Sequence, residues 1–228
     1  MFISRKKIFL TVGIMGLFCS FFLLSACSGK GKGSEKAIEE ENNPQSLGKD
    51  NVYALGETVS LVGPTPQDPN MVVMECAVNA ATLYDKPEAA DIDSTQVLTS
   101  PDCHLDLKTE TAAPFDFSKA HFLLCDITIK NIHMGLGDTN ITALSLVYLL
   151  PDTKELVAVA VLPAYFSKTQ GSDVNASDYF HYKLPVGQSM DAKIGWWVDL
   201  DECKKENLYV MYNYGGDKKF QQAWKLDL

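Results

Sequence analysis

Short runs in which apolar and polar residues alternate recur along this chain from about residue 55 onwards. The clearest run covers residues 121–131, where four apolar side chains share one face: Leu123, Cys125, Ile127 and Ile129. The residues between them include Asp126, Thr128 and Lys130. A period of two predicts a β-strand with one face in the core and the other in water.

Similar runs predict strands at residues 55–62, 71–83, 141–150, 156–162, 177–184, 189–199, 207–214 and 220–226. Pro, Gly, Asn and Asp separate them, and Pro151-Asp152-Thr153-Lys154 is typical of a hairpin turn. No amphipathic helix follows the N-terminal apolar segment. Strands at this spacing, with polar turns and no alternating helices, predict an all-β antiparallel sandwich.

One long polar stretch, residues 86–119, interrupts this pattern with three prolines and many Asp and Thr residues. Connections of this length are uncommon in compact domains unless they carry local structure or function. We therefore expect local structure here and treat the stretch as one candidate binding surface.

The N-terminus has the order of a bacterial secretory signal. Arg5-Lys6-Lys7 precedes an apolar segment that ends at Leu24-Ser25-Ala26-Cys27. This tetrapeptide resembles a lipobox, which implies cleavage before Cys27 and a lipid on its thiol. A transmembrane anchor fits less well, because a span needs about 20 apolar residues and residues 8–24 are fewer and include two glycines.

The signal leads into a polar segment and then into the predicted strands. Residues 28–50 are rich in Gly, Ser, Lys, Glu and Asn, and their few apolar residues have no period, which is typical of a flexible tether. A coil of this length spans about 25 Å root-mean-square. We therefore divide the chain into a signal peptide (1–26), a tether (27–50) and one β-sandwich domain (51–228).

Charge excludes one class of partner. Arg5, Lys6 and Lys7 are the only charged residues of the signal, so the mature chain keeps 17 of the 20 basic residues against all 29 acidic ones, a balance of −12. Such a surface repels nucleic acid. It also provides no polybasic membrane contact, so the lipid on Cys27 is the expected membrane attachment.

Four cysteines remain after the signal and Cys27: Cys76, Cys103, Cys125 and Cys203. An even count in an exported chain favours two disulfides, whereas zinc sites usually have paired C-x-x-C spacings that this sequence lacks. Three pairings can be drawn, and four free thiols are a further alternative. Because Cys76 and Cys125 fall on apolar strand faces, we favour their pairing, together with Cys103 to Cys203.

No catalytic or metal-binding pattern is evident. His104, His121, His133 and His181 are scattered, and the acids at residues 91–93 and 199–202 lack the spacing of a calcium loop. The nucleophile motif G-x-S-x-G is absent, as is a phosphate-binding loop next to a strand, and the S-x-x-K spacing occurs only at residues 4–7 and 46–49, in the signal and the tether. We predict a non-enzymatic protein without a metal or cofactor.

Trp196 and Trp197 are the candidate binding aromatics. Adjacent strand residues point to opposite faces, so one indole is expected in the core and the other on the outer face. An outer indole can stack on a sugar or a protein partner, or it can cover the sheet beneath a loop.

Four further segments occur in a characteristic order: Gly56-Glu57-Thr58-Val59, Asp126-Ile127-Thr128-Ile129-Lys130-Asn131, Leu184-Pro185-Val186-Gly187-Gln188-Ser189 and Leu208-Tyr209-Val210. Behind a lipobox, this order resembles the telokin-like, immunoglobulin-like domain of bacterial cell-surface lipoproteins. That resemblance implies an immunoglobulin-like sandwich and no catalytic residues.

Three functions follow as hypotheses. The first is recognition of a protein or glycan at the cell envelope, which an exposed Trp196 or Trp197 would favour. The second is a structural or assembly role through strand-edge pairing, which a long unprotected edge strand would favour. The third is an enzyme with scattered carboxylates, which would need a water-excluding pocket with converging acids.

Overall fold

Two β-sheets dominate the computed structural model, which describes residues 51–63, 66–100, 104–134, 139–169 and 178–228. The described residues contain strands and short 3-10 turns but no α-helix, and none of their segments is a helix long and apolar enough to cross a bilayer. The predicted signal, tether and lipidated Cys27 lie outside these residues.

The first sheet has the strand order β1-β12-β11-β6-β7. Its strands are β1 (Val52–Tyr53), β6 (Leu144–Leu149), β7 (Leu156–Ala160), β11 (Leu208–Tyr212) and β12 (Gln222–Lys225). All neighbours are antiparallel except β1 and β12. The predicted hairpin across residues 151–154 is confirmed, because β6 and β7 pair directly.

The second sheet has the order β2-β3-β4-β10-β8 and is antiparallel throughout. Its strands are β2 (Thr58–Val62), β3 (Val72–Tyr84), β4 (His121–Asn131), β8 (Tyr165–Phe166) and β10 (Ser189–Val198). The bounds of β4 coincide with the run that alternation predicts. A separate pair consists of β5 (Thr139–Asn140) and β9 (His181–Tyr182).

The main core lies between the two sheets and confirms the sandwich. Inward residues of β3, β4 and β10 meet those of β6, β7, β11 and β12 in one apolar cluster. Trp196 and Trp224 are its largest members, and neither is exposed to solvent. The predicted alternation of β4 holds here: Cys125, Ile127 and Ile129 are buried.

The long polar stretch forms a second layer, which we call the capping segment (residues 86–119, of which 101–103 are not described). It contains two 3-10 turns, Pro87–Ala90 and Ser94–Gln96. Ile92 and Val97 are buried against Phe122, Leu124 and Trp197 on the outer face of the second sheet. The capping segment and the outer face of the second sheet therefore enclose a second, smaller apolar core.

One predicted strand is much shorter in the structure. Alternation predicts a strand at residues 177–184, whereas β9 spans only His181–Tyr182. The His181 N–H donates to the Asp178 carbonyl at 2.9 Å, which closes a turn over these residues. A local turn thus uses the backbone groups that a longer strand would need.

Candidate functional site

Both tryptophans that the sequence offers as binding aromatics are buried. Trp196 lies in the main core with no exposed surface, and Trp197 on the outer face is only 4% exposed. The Trp197 indole N–H donates to the Leu98 carbonyl of the capping segment at 2.8 Å. The prediction of opposite faces is confirmed, but a stacking platform at either tryptophan is wrong, because the capping segment covers the outer one.

Cys76 and Cys125 are free, fully buried thiols. Cys76 lies opposite Ile129 in the β3–β4 ladder, whereas Cys125 lies opposite Ala81. At about 3.4 Å per residue, Cys125 and Ile129 are about 14 Å apart along β4, beyond the reach of a disulfide. The predicted Cys76–Cys125 bond is therefore wrong in this fold. Both residues are buried on the same sheet face, but they do not lie opposite each other in the β3–β4 ladder.

Cys203 is also a buried free thiol, and burial raises its pKa to about 12. Its predicted partner, Cys103, lies outside the described residues. The Cys103–Cys203 pairing therefore stays a prediction.

The four histidines do not come together. His104 alone is buried, with its ring stacked on Phe115 at a centroid distance of 4.1 Å. Its Nε2 lies 3.5 Å from a carboxylate oxygen of Glu202, whereas its Nδ1 is buried without a hydrogen-bond partner. Burial lowers the pKa of His104, although Glu202 and Asp199 oppose the shift. Among the described residues, no group of three or more His, Cys, Asp or Glu side chains could hold a metal ion.

A polar groove crosses the uncovered part of the second sheet, with a cavity volume of about 540 Å³. The Asn79 amide donates to the Thr128 hydroxyl, and that hydroxyl donates to Asp191 at 2.7 Å. Lys193 lies directly opposite Asp126 in the β10–β4 ladder, and its Nζ is 3.6 Å from the Asp126 Oδ1. These side chains pair with one another across three strands, so the groove is a polar sheet face.

A second cavity, of about 470 Å³, opens beside the first sheet. Buried Leu156 and Met211 form its floor, and Gln221 and Asp217 lie at its rim. At its edge the Tyr214 hydroxyl accepts the Ala158 N–H at 3.1 Å and donates to Glu110. Burial and the adjacent Glu110 carboxylate raise the pKa of Tyr214, so this phenol remains a neutral donor.

The second half of β3 has an edge that is open with respect to every strand the structure describes. β2 pairs with β3 only as far as Ala77, and the Gly56 N–H then donates to the Val78 carbonyl at 2.8 Å. A bulge follows at Asn79, and residues 80–84 pair with β4 alone. No described residue makes a hydrogen bond to their other side. We call residues 80–84 the β3 edge.

Four other edge strands in the described residues differ from the β3 edge. β7 is covered, because the Leu105 N–H donates to the Val159 carbonyl and the Ala158 N–H donates to the Tyr214 hydroxyl. β1 and β8 have two residues each. β2 is open, but its inward Val59 and Leu61 are already buried. At the β3 edge, by contrast, Ala81 and Leu83 pack against the core while only partly buried.

Comparison with protein families shows which family the chain belongs to. The sequence model of the family DUF5027, a domain of unknown function, matches residues 42–228. The chain belongs to the DUF5027 family. No curated protein matches this DUF5027 chain. The crystal structure of the yjhA protein from Bacillus subtilis is similar at 12% identity, with a TM-score of 0.39, over 77% of this chain and 99% of that one.

The open edge of this DUF5027 domain was not identified from the sequence. The pattern of β3 shows alternating residues but does not reveal that β2 stops pairing at Ala77. One signal was present: residues 79–84 contain neither a charge nor a proline, which protected edges usually carry.

Proposed function

We propose that this DUF5027 protein is a membrane-anchored extracytoplasmic lipoprotein, attached through the lipid on Cys27 and without enzymatic activity. Its immunoglobulin-like sandwich would dock a protein at the cell envelope through strand-edge pairing. The order of basic residues, apolar segment and Leu24-Ser25-Ala26-Cys27 supports the anchor. The open β3 edge supports the mode of docking.

The β3 edge carries this proposal because it combines unpaired backbone groups with incompletely buried apolar side chains. An added strand would satisfy alternate N–H and C=O groups of residues 80–84, as in β-augmentation. It would also cover Ala81 and Leu83, which lie at the rim of the core. Burial of the two tryptophans removes the feature that would have favoured recognition through exposed aromatics.

The edge also defines the chemistry of the incoming segment. Positions beside Ala81 and Leu83 continue the inner face of the second sheet, so they should be apolar. Positions beside exposed Thr82 continue the outer face, where polar or β-branched residues fit. The expected partner segment is thus extended, with alternating apolar and polar residues.

Site-specific photo-crosslinking in intact cells tests the docking mode. A photoreactive residue at Thr82, on the β3 edge, should yield a crosslinked protein species. The same residue at exposed Ser60 of β2 is the matched control and should yield much less. Equal yields at both positions, or none at Thr82, would overturn docking at this edge.

Lipid labelling tests the anchor separately. The Cys27→Ala chain should not incorporate a labelled fatty acid, because it lacks the thiol that a lipobox presents. Normal labelling of that variant would remove the anchor from the proposal.

A glycan partner is the second candidate, and the cavity beside Tyr214 favours it. An apolar floor with a polar rim suits a sugar ring, which has one apolar face and peripheral hydroxyls. Asp217→Asn should then weaken retention on immobilised peptidoglycan, whereas Asp201→Asn, outside the cavity, should not. Equal retention of both variants would contradict a glycan site here.

A further inference from the structure

We infer that the strand which pairs with the β3 edge is the β3 edge of a second copy of this chain. The inference rests on the proposed docking mode and names its partner. It follows from the order of side chains along residues 80–84, which read Ala-Ala-Thr-Leu-Tyr.

Antiparallel pairing of two identical edges places a two-fold axis at one residue. With the axis at Thr82, Ala81 of one copy lies opposite Leu83 of the other on the inner face. Ala80 lies opposite Tyr84 on the outer face, and Thr82 lies opposite Thr82. Each large side chain therefore meets a small one, and Thr–Thr is a favourable cross-strand pair. Such a surface is complementary to itself, as an isologous interface requires.

We call the line along which two β3 edges would pair the seam. The charges near the seam permit this pairing although the chain as a whole is acidic, with a net charge of −9. Residues 79–84 carry no charge. The first acid beyond them, Asp85, is 94% exposed, and the Asp85 residues of the two copies would lie at opposite ends of the paired edges. The nearest like charges are thus offset along the strands.

The β2 edge lacks this self-complementarity. A two-fold axis at Ser60 would place Val59 opposite Leu61, so that large side chains meet on the inner face. Both are already buried within the sheet, so pairing would cover little additional apolar surface. The β2 edge is therefore a matched negative control within the same domain.

The seam is short, and its strength depends on confinement. Five paired residues per copy form less than the roughly 1,200 Å² interface of a typical stable complex. A lipid on Cys27 would hold all copies at one surface, where effective concentration makes weak pairing productive. We therefore expect the dimer on membranes, and the test uses the full chain in intact cells.

Oxidative cross-linking of Thr82→Cys is the test, because the two-fold axis brings residue 82 of both copies together. Mild oxidant should yield a covalent dimer that reductant reverses and that the unmodified chain and Ser60→Cys do not form. Ala80→Cys should cross-link much less, since its partner across the seam is Tyr84. Adding Ala81→Lys, an inward charge at the edge, should abolish the Thr82→Cys dimer.

Each outcome decides the inference. Dimer formation at Thr82 alone, lost with Ala81→Lys, supports it. Equal dimer formation at Thr82 and Ser60 overturns it. Without the Thr82→Cys dimer, a heterologous photo-crosslink at Thr82 overturns self-pairing but leaves edge docking intact. Absence of both overturns the two proposals together.

Discussion

Gly195→Ala tests the close packing on the outer face of the second sheet, beneath the capping segment. Gly195 lies in β10, and the ring of Phe122 from β4 lies directly over it. An added Cβ would come within 3.1 Å of Phe122 Cε1 and Cε2, and closer still to Cζ. Phe122 is fully buried and packs edge-on against Trp197, at 5.4 Å between ring centroids, so it has little freedom to move.

The expected cost follows from two opposing effects. Overpacking of a core position costs about 1–3 kcal/mol. Replacing glycine by alanine in a strand returns about 0.5–1 kcal/mol, because the unfolded chain loses conformational freedom. We therefore expect Gly195→Ala to lower the free energy of unfolding by about 1–2 kcal/mol.

Urea denaturation of the mature protein measures this change. Phe122→Leu provides space for the new methyl group, so Gly195→Ala should cost at least about 1 kcal/mol less in that background. If Gly195→Ala is neutral, or if the two substitutions simply add, the close contact with Phe122 does not determine stability at this position.

Three further predictions follow from buried groups. Trp197→Phe removes the hydrogen bond to Leu98 and should destabilise by about 1–2 kcal/mol, with faster trypsin cleavage within the capping segment; unchanged cleavage would contradict this role. His104 has a lowered pKa, so the unfolded chain takes up its proton first and stability should fall as pH drops below 6.5. In the His104→Phe variant, the free energy of unfolding measured by urea denaturation should fall less as the pH is lowered. An unchanged pH dependence would mean that other groups cause the fall. Cys76 and Cys125 should react with iodoacetamide in urea without reductant but resist it in the native protein, as mass spectrometry can show; a requirement for reductant would contradict their free state.

Alternation predicted most strands because burial of one face imposes a period of two, and β4 matches residue by residue. It could not predict pairing. Cys76 and Cys125 share the inner face, but the ladder separates them. The sequence could not say which tryptophan lies on the outer face or that this indole is covered, because the residues over Trp197 are distant in sequence. Leu98, which accepts its N–H, belongs to a stretch with no strand or helix pattern.

The sequence by itself determined the all-β class and the acidic balance of charge, and it predicts a lipid anchor at Cys27, since each depends on composition or on residues close together in the chain. Only the tertiary structure decided which aromatic side chains are covered, which cysteines are in register and where β2 leaves β3 unpaired. Those features arise from contacts between distant segments. Within the described residues the β3 edge is unpaired because two strands of unequal length pair, a relation that neither strand's sequence contains.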